Sequence, residues 1–318
     1  MMKNNSIEEI AEKIFMLDRI LLITHVSPDV DGLGAMLALA EALEKKGKQV
    51  CCFCADEIPR RFVFLEKISR VKCSVSVGSY DSIVVLDCGD INRTGMRGRV
   101  ENFFGPVMNL DHHPQRRPFG SFCYVNTDKS STCEIVYDIF KKKNLLLDKS
   151  LASLLLSGIV YDTNSFQIEN TTPELLEVAS ELMRKGARLP VITREIFRVR
   201  RVIALKLWGR VLARIKIDPN TKMAFSVVTR EDFARVGATP EDLAGLIDVI
   251  NSASESKFSL LLSEDGQNII KGSLRSESFK NIDVSKIAEG FGGGGHKFAS
   301  GFSIEGKLEN KNGEWRIA

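Results

Sequence analysis

The order of apolar runs in this chain predicts an α/β fold: a parallel sheet flanked by helices, joined by a helical linker to a smaller α+β domain. Three observations carry that expectation. Short apolar runs without polar alternation recur in the first half, segments of helical composition alternate with them, and beyond residue 210 the pattern changes to half-buried strands paired as hairpins. Unalternated runs suit strands covered on both faces, and strand–helix alternation implies a parallel sheet. The 318 residues leave room for two domains, each with its own core. The expected division is a catalytic domain over 1–188, a basic helical linker over 189–210 and a substrate-binding domain over 211–318.

Ile20 to Thr24 (ILLIT) reads as the first buried strand, followed at once by His25 and a loop carrying Asp29 and Asp31. The segment GLGAMLALAEALEKKG then has helical composition, acid before base, with Gly47 as its stop. Val50 to Cys54, Ser82 to Leu86 and Pro106 to Leu110 continue the strand series, and Asp87 and Asp111 each end one of these runs. Ser131 and Glu134 have capping-box spacing before the helix CEIVYDIF. Leu151 to Tyr161 is by length a helix, with Asp162 at its end. Pro190 marks the start of the connector. Beyond it, VLARIKI and MAFSVVT form a hairpin about DPNTK, helices follow at 230–236 and 240–251, and FSLLLS pairs with NIIKGSLR about EDGQ. A helix over 283–289 then leads into a glycine loop.

Apolar residues make up 44% and charged residues 27%, the balance of a folded globular chain. No run approaches the roughly 18 apolar residues of a membrane span, and the N-terminus carries acids where a signal peptide needs an apolar stretch, so a cytoplasmic protein with no membrane partner is expected. A net charge of +3 is too small for bulk coating of nucleic acid. Its distribution says more: from Arg184 to Lys216 there are 11 Lys or Arg against the single acid Glu195. That stretch is either a positive field that draws an anionic substrate or a solvated helix face. The seven cysteines are odd in number and unpaired in spacing, so they read as reduced, with Cys51, Cys52 and Cys54 serving as small buried apolar groups.

All four histidines lie in acidic or glycine-rich clusters: H25-V-S-P-D29-V-D31-G, D111-H112-H113 and G-G-G-G-H296, to which D87-C-G-D90 and G158-I-V-Y-D162-T add carboxylates. Ligands of a parallel sheet lie beyond the carboxyl ends of its strands, and His25, Asp87 and Asp111-His112 all belong to that edge. Asp29, Asp31, Asp87 and Asp162 with His25 and His112 form a mixed oxygen and nitrogen set that favours Mn²⁺, ahead of Mg²⁺ or Co²⁺. Six ligands exceed what one catalytic ion needs, so two ions are expected. Two divalent cations offset four carboxylates, and such pairs clamp phosphoryl oxygens and activate water, which makes phosphoester hydrolysis the reaction class. His113 is the candidate donor to the phosphate or the leaving oxygen, and Asp111 the candidate to orient an imidazole. Gly293, Gly294 and Gly295 can bring backbone N–H groups onto an anion, with His296 as a further donor. Arg275, at a strand end, suits a phosphate or a base.

Together these motifs resemble the DHH phosphoesterases with a DHHA1 domain, especially the stand-alone NanoRNase, or oligoribonuclease and pAp-phosphatase, group. The likeness covers nearly the whole chain, and the glycine–histidine run G-G-G-G-H296-K-F-A-S-G matches the DHHA1 signature. It implies that His25, Asp29 and Asp87 hold one Mn²⁺ and that Asp31, Asp87, His112 and Asp162 hold the other, with Asp87 bridging. It also implies that His113 contacts the scissile phosphate, and that Arg275, Ser276, Gly294 and His296 bind the nucleotide. Arg93 resembles the basic position after the second motif, in a substrate-binding or a structural role. The expected activity is a Mn²⁺-dependent exoribonuclease that degrades very short oligoribonucleotides such as pApA to 5′-mononucleotides, extending to pAp and cyclic dinucleotides, in a homodimer. A family II inorganic pyrophosphatase shares the N-terminal motifs and is one alternative; a non-catalytic nucleotide-binding module is the other.

Overall fold

The computed structural model describes residues 4–114, 118–266, 268–311 and 314–318, apart from the side chains of His296 and Glu314. The chain divides into two compact units, residues 1–198 and 199–318. The first runs α1 (Ile7–Met16), β1 (Arg19–Ile23), α2 (Val30–Glu44), β2 (Gln49–Phe53), β3 (Ser82–Leu86), α3 (Arg97–Glu101), β4 (Val107–Asp111), β5 (Phe122–Val125), α4 (Thr132–Lys142), α5 (Lys149–Asp162), α6 (Pro173–Arg184) and α7 (Leu189–Thr193). Its five strands lie in the order β2-β1-β3-β4-β5, and every pair is parallel.

Alternation of side chains along each strand divides the interior into two cores. Ile20, Leu22, Cys52, Val84, Leu86, Met108 and Leu110 face a large core built with α1, α2, α4, α5 and α6. Leu21, Ile23, Cys51, Phe53, Ile83, Val85 and Val107 face a smaller one that includes Val100 of α3. Both faces are covered, as the unalternated runs predict, but long helices cover one face only. Between β2 and β3 the chain makes three 3₁₀ turns instead of a crossover helix. Since α2 lies between the sheet and α4 and α5, it is buried from Val30 to Leu43 on all sides. Each fully buried Leu there contributes roughly 1.5–3 kcal/mol, so the loops that follow β1, β3 and β4 hang from a well-packed base.

The second unit contains α8 (Val202–Leu212), β6 (Lys216–Ile217), β7 (Met223–Val228), α9 (Arg230–Val236), α10 (Leu246–Asn251), β8 (Phe258–Asp265), β9 (Ile269–Arg275), α11 (Val284–Gly290), β10 (Gly294–His296), β11 (Ala299–Glu305), β12 (Leu308–Lys311) and β13 (Glu314–Ile317). A six-stranded sheet runs β10-β11-β9-β8-β7-β6, antiparallel except for β7 and β8, and β12 pairs with β13 apart from it.

Three expectations change here. Val211 and Leu212, read as part of a strand, complete α8, where Leu207 and Val211 enter a core with Val228 and Leu246; the first hairpin keeps only the two-residue β6. The helix expected over 240–251 breaks at Gly245, whose φ of 85° ends a 3₁₀ turn and precedes α10. The glycine loop is a strand: Gly294, Gly295 and His296 pair with Gly301, Ser300 and Ala299. Residues 189–210 comprise α7, a π-helical turn over Arg194–Arg198 and most of α8.

Candidate metal centre

Three short strands deliver the cluster to one edge. His25 lies two residues past the end of β1, Asp87 directly follows β3, and Asp111 is the last residue of β4, with His112 and His113 next in the chain. Helices supply the remaining acids. Asp29 caps α2, its Oδ1 accepting the Asp31 and Gly32 N–H groups at 3.0 and 3.1 Å, which leaves Oδ2 on the side of His25, 3.6 Å from Nε2. Asp31 sits in the first turn of α2 and Asp162 in the last residue of α5.

The donor atoms gather in three groups, each within 4.8 Å: His25, Asp29 and Asp87; Asp31, His112 and Asp162; and Asp87, His112 and His113. Asp87 joins them. Its Oδ2 is 3.5 Å from His25 Nε2 and its Oδ1 3.6 Å from His112 Nε2. His112 Nε2 is in turn 3.0 Å from Asp162 Oδ2. Asp87 also has φ of 58°, a left-handed backbone that aspartate adopts more readily than most side chains.

Close packing sets the cluster's shape. A Cβ on Gly32 would meet Thr24 Oγ1 at 2.3 Å and Asp87 Oδ2 at 3.1 Å, while one on Gly158 would meet Cys133 Sγ at 2.3 Å and Asp31 Oδ1 at 2.5 Å. Both motif glycines therefore make room for the Asp87 and Asp31 carboxylates. Asp90, the second acid of the DCGD motif, caps the turn Ile91–Thr94 through Asn92 N–H at 2.7 Å, and that turn presents Arg93. His25 Nδ1 lies 2.8 Å from both the Val26 carbonyl and Arg93 Nη2. A neutral ring that coordinates through Nε2 carries its proton on Nδ1 and donates it to Val26; in that tautomer Arg93 Nη2 must find its acceptor elsewhere.

Electrostatics mark the cluster as incomplete by itself. Burial, with the charges of Asp162 and Asp87, holds Asp31 well above the usual carboxylate range. Burial likewise lifts Asp162 to about 6. Burial would raise Asp87 as well, but His113 and His25 outweigh it and keep that group well below its ordinary value. The imidazoles respond in kind: against the opposing effect of burial, Asp29 and Asp87 raise His25 to about 10, Asp162 raises His112 to about 9, and Asp111 and Asp87 raise His113 to about 11. Asp87 Oδ2 is buried with no hydrogen-bond partner. Carboxylates and imidazoles crowded in this way, with one oxygen lacking a donor, fit divalent cations of the Mg²⁺ to Mn²⁺ kind. Thiols stay out: no cysteine belongs to the three groups among the described residues, and burial with Asp31 beside it pushes the Cys133 thiol well up.

His113 is placed differently from the other two imidazoles. Fully buried Asp111 accepts both its backbone N–H at 2.9 Å and a ring contact at Nδ1 of 2.8 Å, so the ring is oriented from below. The six residues read as ligands, with His113, Asp111 and Arg93, thus share one edge. The other sequence-selected residues gather in the second unit. Ser259, Arg275, Ala299 and His296 form one row across β8, β9, β11 and β10. Arg275 Nε donates to Asp248 at 2.9 Å, and Ser276, buried, turns its hydroxyl to the Lys257 carbonyl at 3.2 Å. Gly293 packs against Gly301 and Phe302, Gly294 has open space, and Gly295 takes φ of 140°. The side chain of His296 lies outside the described residues. One contributor to the edge went unread in the sequence: Thr132, whose hydroxyl donates to Asp87 Oδ1 at 3.1 Å.

A parallel sheet with an acid–imidazole edge, followed by a mixed-sheet unit, defines a metal-dependent phosphoesterase architecture, and comparison with known proteins agrees. Residues 19–159 match the DHH family, N-terminal domain, and residues 220–313 match the DHHA1 domain. The chain is 31% identical, over 90% of its length and 84% of the relative's, to a bifunctional oligoribonuclease and PAP phosphatase NrnA of Thermus thermophilus, and 28% identical over 93% and 92% to the Bacillus subtilis protein of that name. Among solved structures, an exopolyphosphatase-related protein from Bacteroides fragilis superposes with a TM-score of 0.88 at 26% identity, covering 95% of this chain and 92% of its own. An exonuclease RecJ bound to manganese shares the fold, at a TM-score of 0.54 and 17% identity over 96% of this chain and 91% of its own. This chain belongs to the DHH phosphoesterase family and carries a DHHA1 domain; it is a hydrolytic enzyme. Among the described residues, no helix is long and apolar enough to cross a membrane.

Proposed function

We propose that the chain is a Mn²⁺-dependent phosphodiesterase that degrades very short oligoribonucleotides, such as pApA, to 5′-mononucleotides and also converts pAp to AMP. The observation that carries this reading is the set of acid–imidazole groups joined by Asp87, in a chain whose relatives are named for both activities. His25, Asp29 and Asp87 would hold one ion, and Asp31, Asp87, His112 and Asp162 the other. Ions held there would supply positive charge for the phosphoryl oxygens and an acidified water. The chain's own residues do the rest. Asp111 fixes the His113 ring through Nδ1, so proton donation to the phosphate or the leaving oxygen falls to Nε2. Arg93, next to His25, offers its guanidinium to a phosphate.

In the second unit, Arg275, Ser276, Gly293 and the strand residues Gly294, Gly295 and His296 bind the nucleotide in this reading. Their support is the shared sheet row and the open space over Gly294. We assign catalysis to 1–188, the basic connector to 189–210 and substrate binding to 211–318, in a homodimeric cytoplasmic enzyme; the seven free thiols suit a reducing compartment. Cyclic dinucleotides are further candidate substrates.

The test is a parallel incubation with Mn²⁺ of 5′-phosphorylated dinucleotide and 24-nucleotide RNA, pAp, cyclic di-AMP and pyrophosphate, with products followed by chromatography. Rapid cleavage of the dinucleotide with slow turnover of the long RNA is the expected pattern. Hydrolysis of pyrophosphate alone would move the chain to the pyrophosphatase reading, and binding without turnover of any substrate would overturn the proposal.

A further inference from the structure

Two candidate ligand carboxylates from separate parts of the first unit meet at one residue that lies outside the three acid–imidazole groups. Thr132 is fully buried at the start of α4. Its backbone N–H donates to Asp31 Oδ2 at 2.6 Å, and the next N–H, of Cys133, donates to Asp31 Oδ1 at 2.9 Å. Both oxygens of that carboxylate are thereby held by the first turn of an 11-residue helix, whose N-terminus favours negative charge. The Thr132 hydroxyl turns the other way and donates to Asp87 Oδ1 at 3.1 Å. Asp87 Oδ1 also faces His113 Nδ1 at 3.3 Å, while Asp87 Oδ2, buried on the side of His25, has no hydrogen bond.

One residue therefore links an acid from α2 to an acid from the end of β3, and in the two-ion reading the two meet at the second candidate ion site, while Asp87 also belongs to the first. We propose that Thr132 is a positioning residue of the metal centre: its hydroxyl sets the rotation of the Asp87 carboxylate and so directs Oδ2 toward His25 and Asp29. Its backbone registers Asp31 against the same point. The inference rests on the two-ion reading given above. Two like-charged carboxylates repel, and Thr132 supplies a neutral donor to each, its hydroxyl to Asp87 and its backbone N–H to Asp31. Gly32 leaves room on the Oδ2 side, where an added Cβ would stand 3.1 Å from that oxygen.

Removing the hydroxyl while keeping the shape separates positioning from packing. Titration calorimetry with Mn²⁺ on the full-length wild type, Thr132→Val, Thr132→Ser and Thr132→Ala reads affinity and stoichiometry directly, without activity. The valine and alanine variants are expected to lose about 10- to 100-fold in Mn²⁺ affinity, the usual range when a group supporting a ligand is removed. Serine, which keeps the donor, restores most of it. Melting of the metal-free proteins should differ little between valine and wild type. Wild-type affinity and stoichiometry in both the valine and alanine variants would overturn the positioning role alone. Equal loss in serine and valine would assign the effect to the lost methyl group and overturn it too. A wild-type protein that binds no Mn²⁺ would overturn the metal reading beneath it.

Discussion

Asp31 and Asp232 are both buried aspartates at the start of a helix, and their surroundings are opposite. In the second unit, Asp232 lies against Arg210 Nε at 3.1 Å and Arg214 Nη1 and Nη2 at 2.7 and 2.8 Å, and it closes a capping box with Thr229. Burial would raise it, but Arg214 and Thr229 outweigh that and lower it to about 2. In the first unit, Asp31 faces Asp162 and Asp87 instead, and its carboxyl is pushed up. The chain completes one acid with its own arginines and gathers the other with more acids. Charges buried together without compensation are costly, so the first arrangement is architecture and the second fits a site completed by cations from outside the chain.

Substitutions should separate the two. The largest effect is expected at Asp87. Asp87→Ala removes the group shared by the candidate ion sites and should lower turnover of every substrate by more than about 10³-fold, beyond the loss of a single electrostatic contact. Steady-state rates with metal content measured alongside decide it, and a wild-type rate would end the two-ion reading. His113→Ala should come next, at about 10² to 10⁴ in kcat, the range for a lost proton donor, with bound metal unchanged. Metal lost in proportion to rate would instead make His113 a ligand.

Asp232→Asn tests the contrasting acid. Because the folded group titrates at about 2, below its ordinary 3.8, its contribution is present above that ordinary value and fades as pH falls toward 2. The asparagine variant should lose about 2 kcal/mol of stability at neutral pH, from the size of that shift, and lose less at pH 2. Denaturant unfolding at both values checks the sign, and kcat should not move. The smallest effect is expected at Arg275, which already donates to Asp248. Arg275→Ala should raise KM for a dinucleotide by about tenfold, the scale of one charge-assisted hydrogen bond, with metal content intact; a matching loss of metal would break the division between the two units.

Legibility in the sequence followed physical range. The acid–imidazole cluster could be read because a parallel strand is an apolar run and a site on such a sheet lies just beyond its strand ends: His25, Asp87 and Asp111-His112 are adjacent in sequence to the elements that place them. Thr132 could not be read. Its hydroxyl reaches Asp87 across 45 residues of chain and its N–H reaches Asp31 across 101, while in the sequence Thr132 is only the residue after a helix cap. The capping box expected of Ser131 and Glu134 shows the same limit. Ser131 does accept from Glu134 N–H at 3.1 Å, but the glutamate reaches back to Ser130 N–H at 2.8 Å. The glycine run gave an open loop in the sequence and a strand in the molecule, because β11 lies beside it with donors and acceptors that no local pattern announces.

By itself, the sequence determined the class of fold, the family and the inventory of acids and imidazoles, since these depend on local periodicity and on residues adjacent to strand ends. Tertiary structure decided how the inventory is arranged. It joined the acid–imidazole groups through Asp87, set His113 on Asp111, placed Arg275 in one sheet row with His296, and turned Val211 and Leu212 from strand into helix. Those outcomes depend on contacts between segments far apart in the chain, where burial, like-charge repulsion and the clearance over a glycine act only after the backbone has closed.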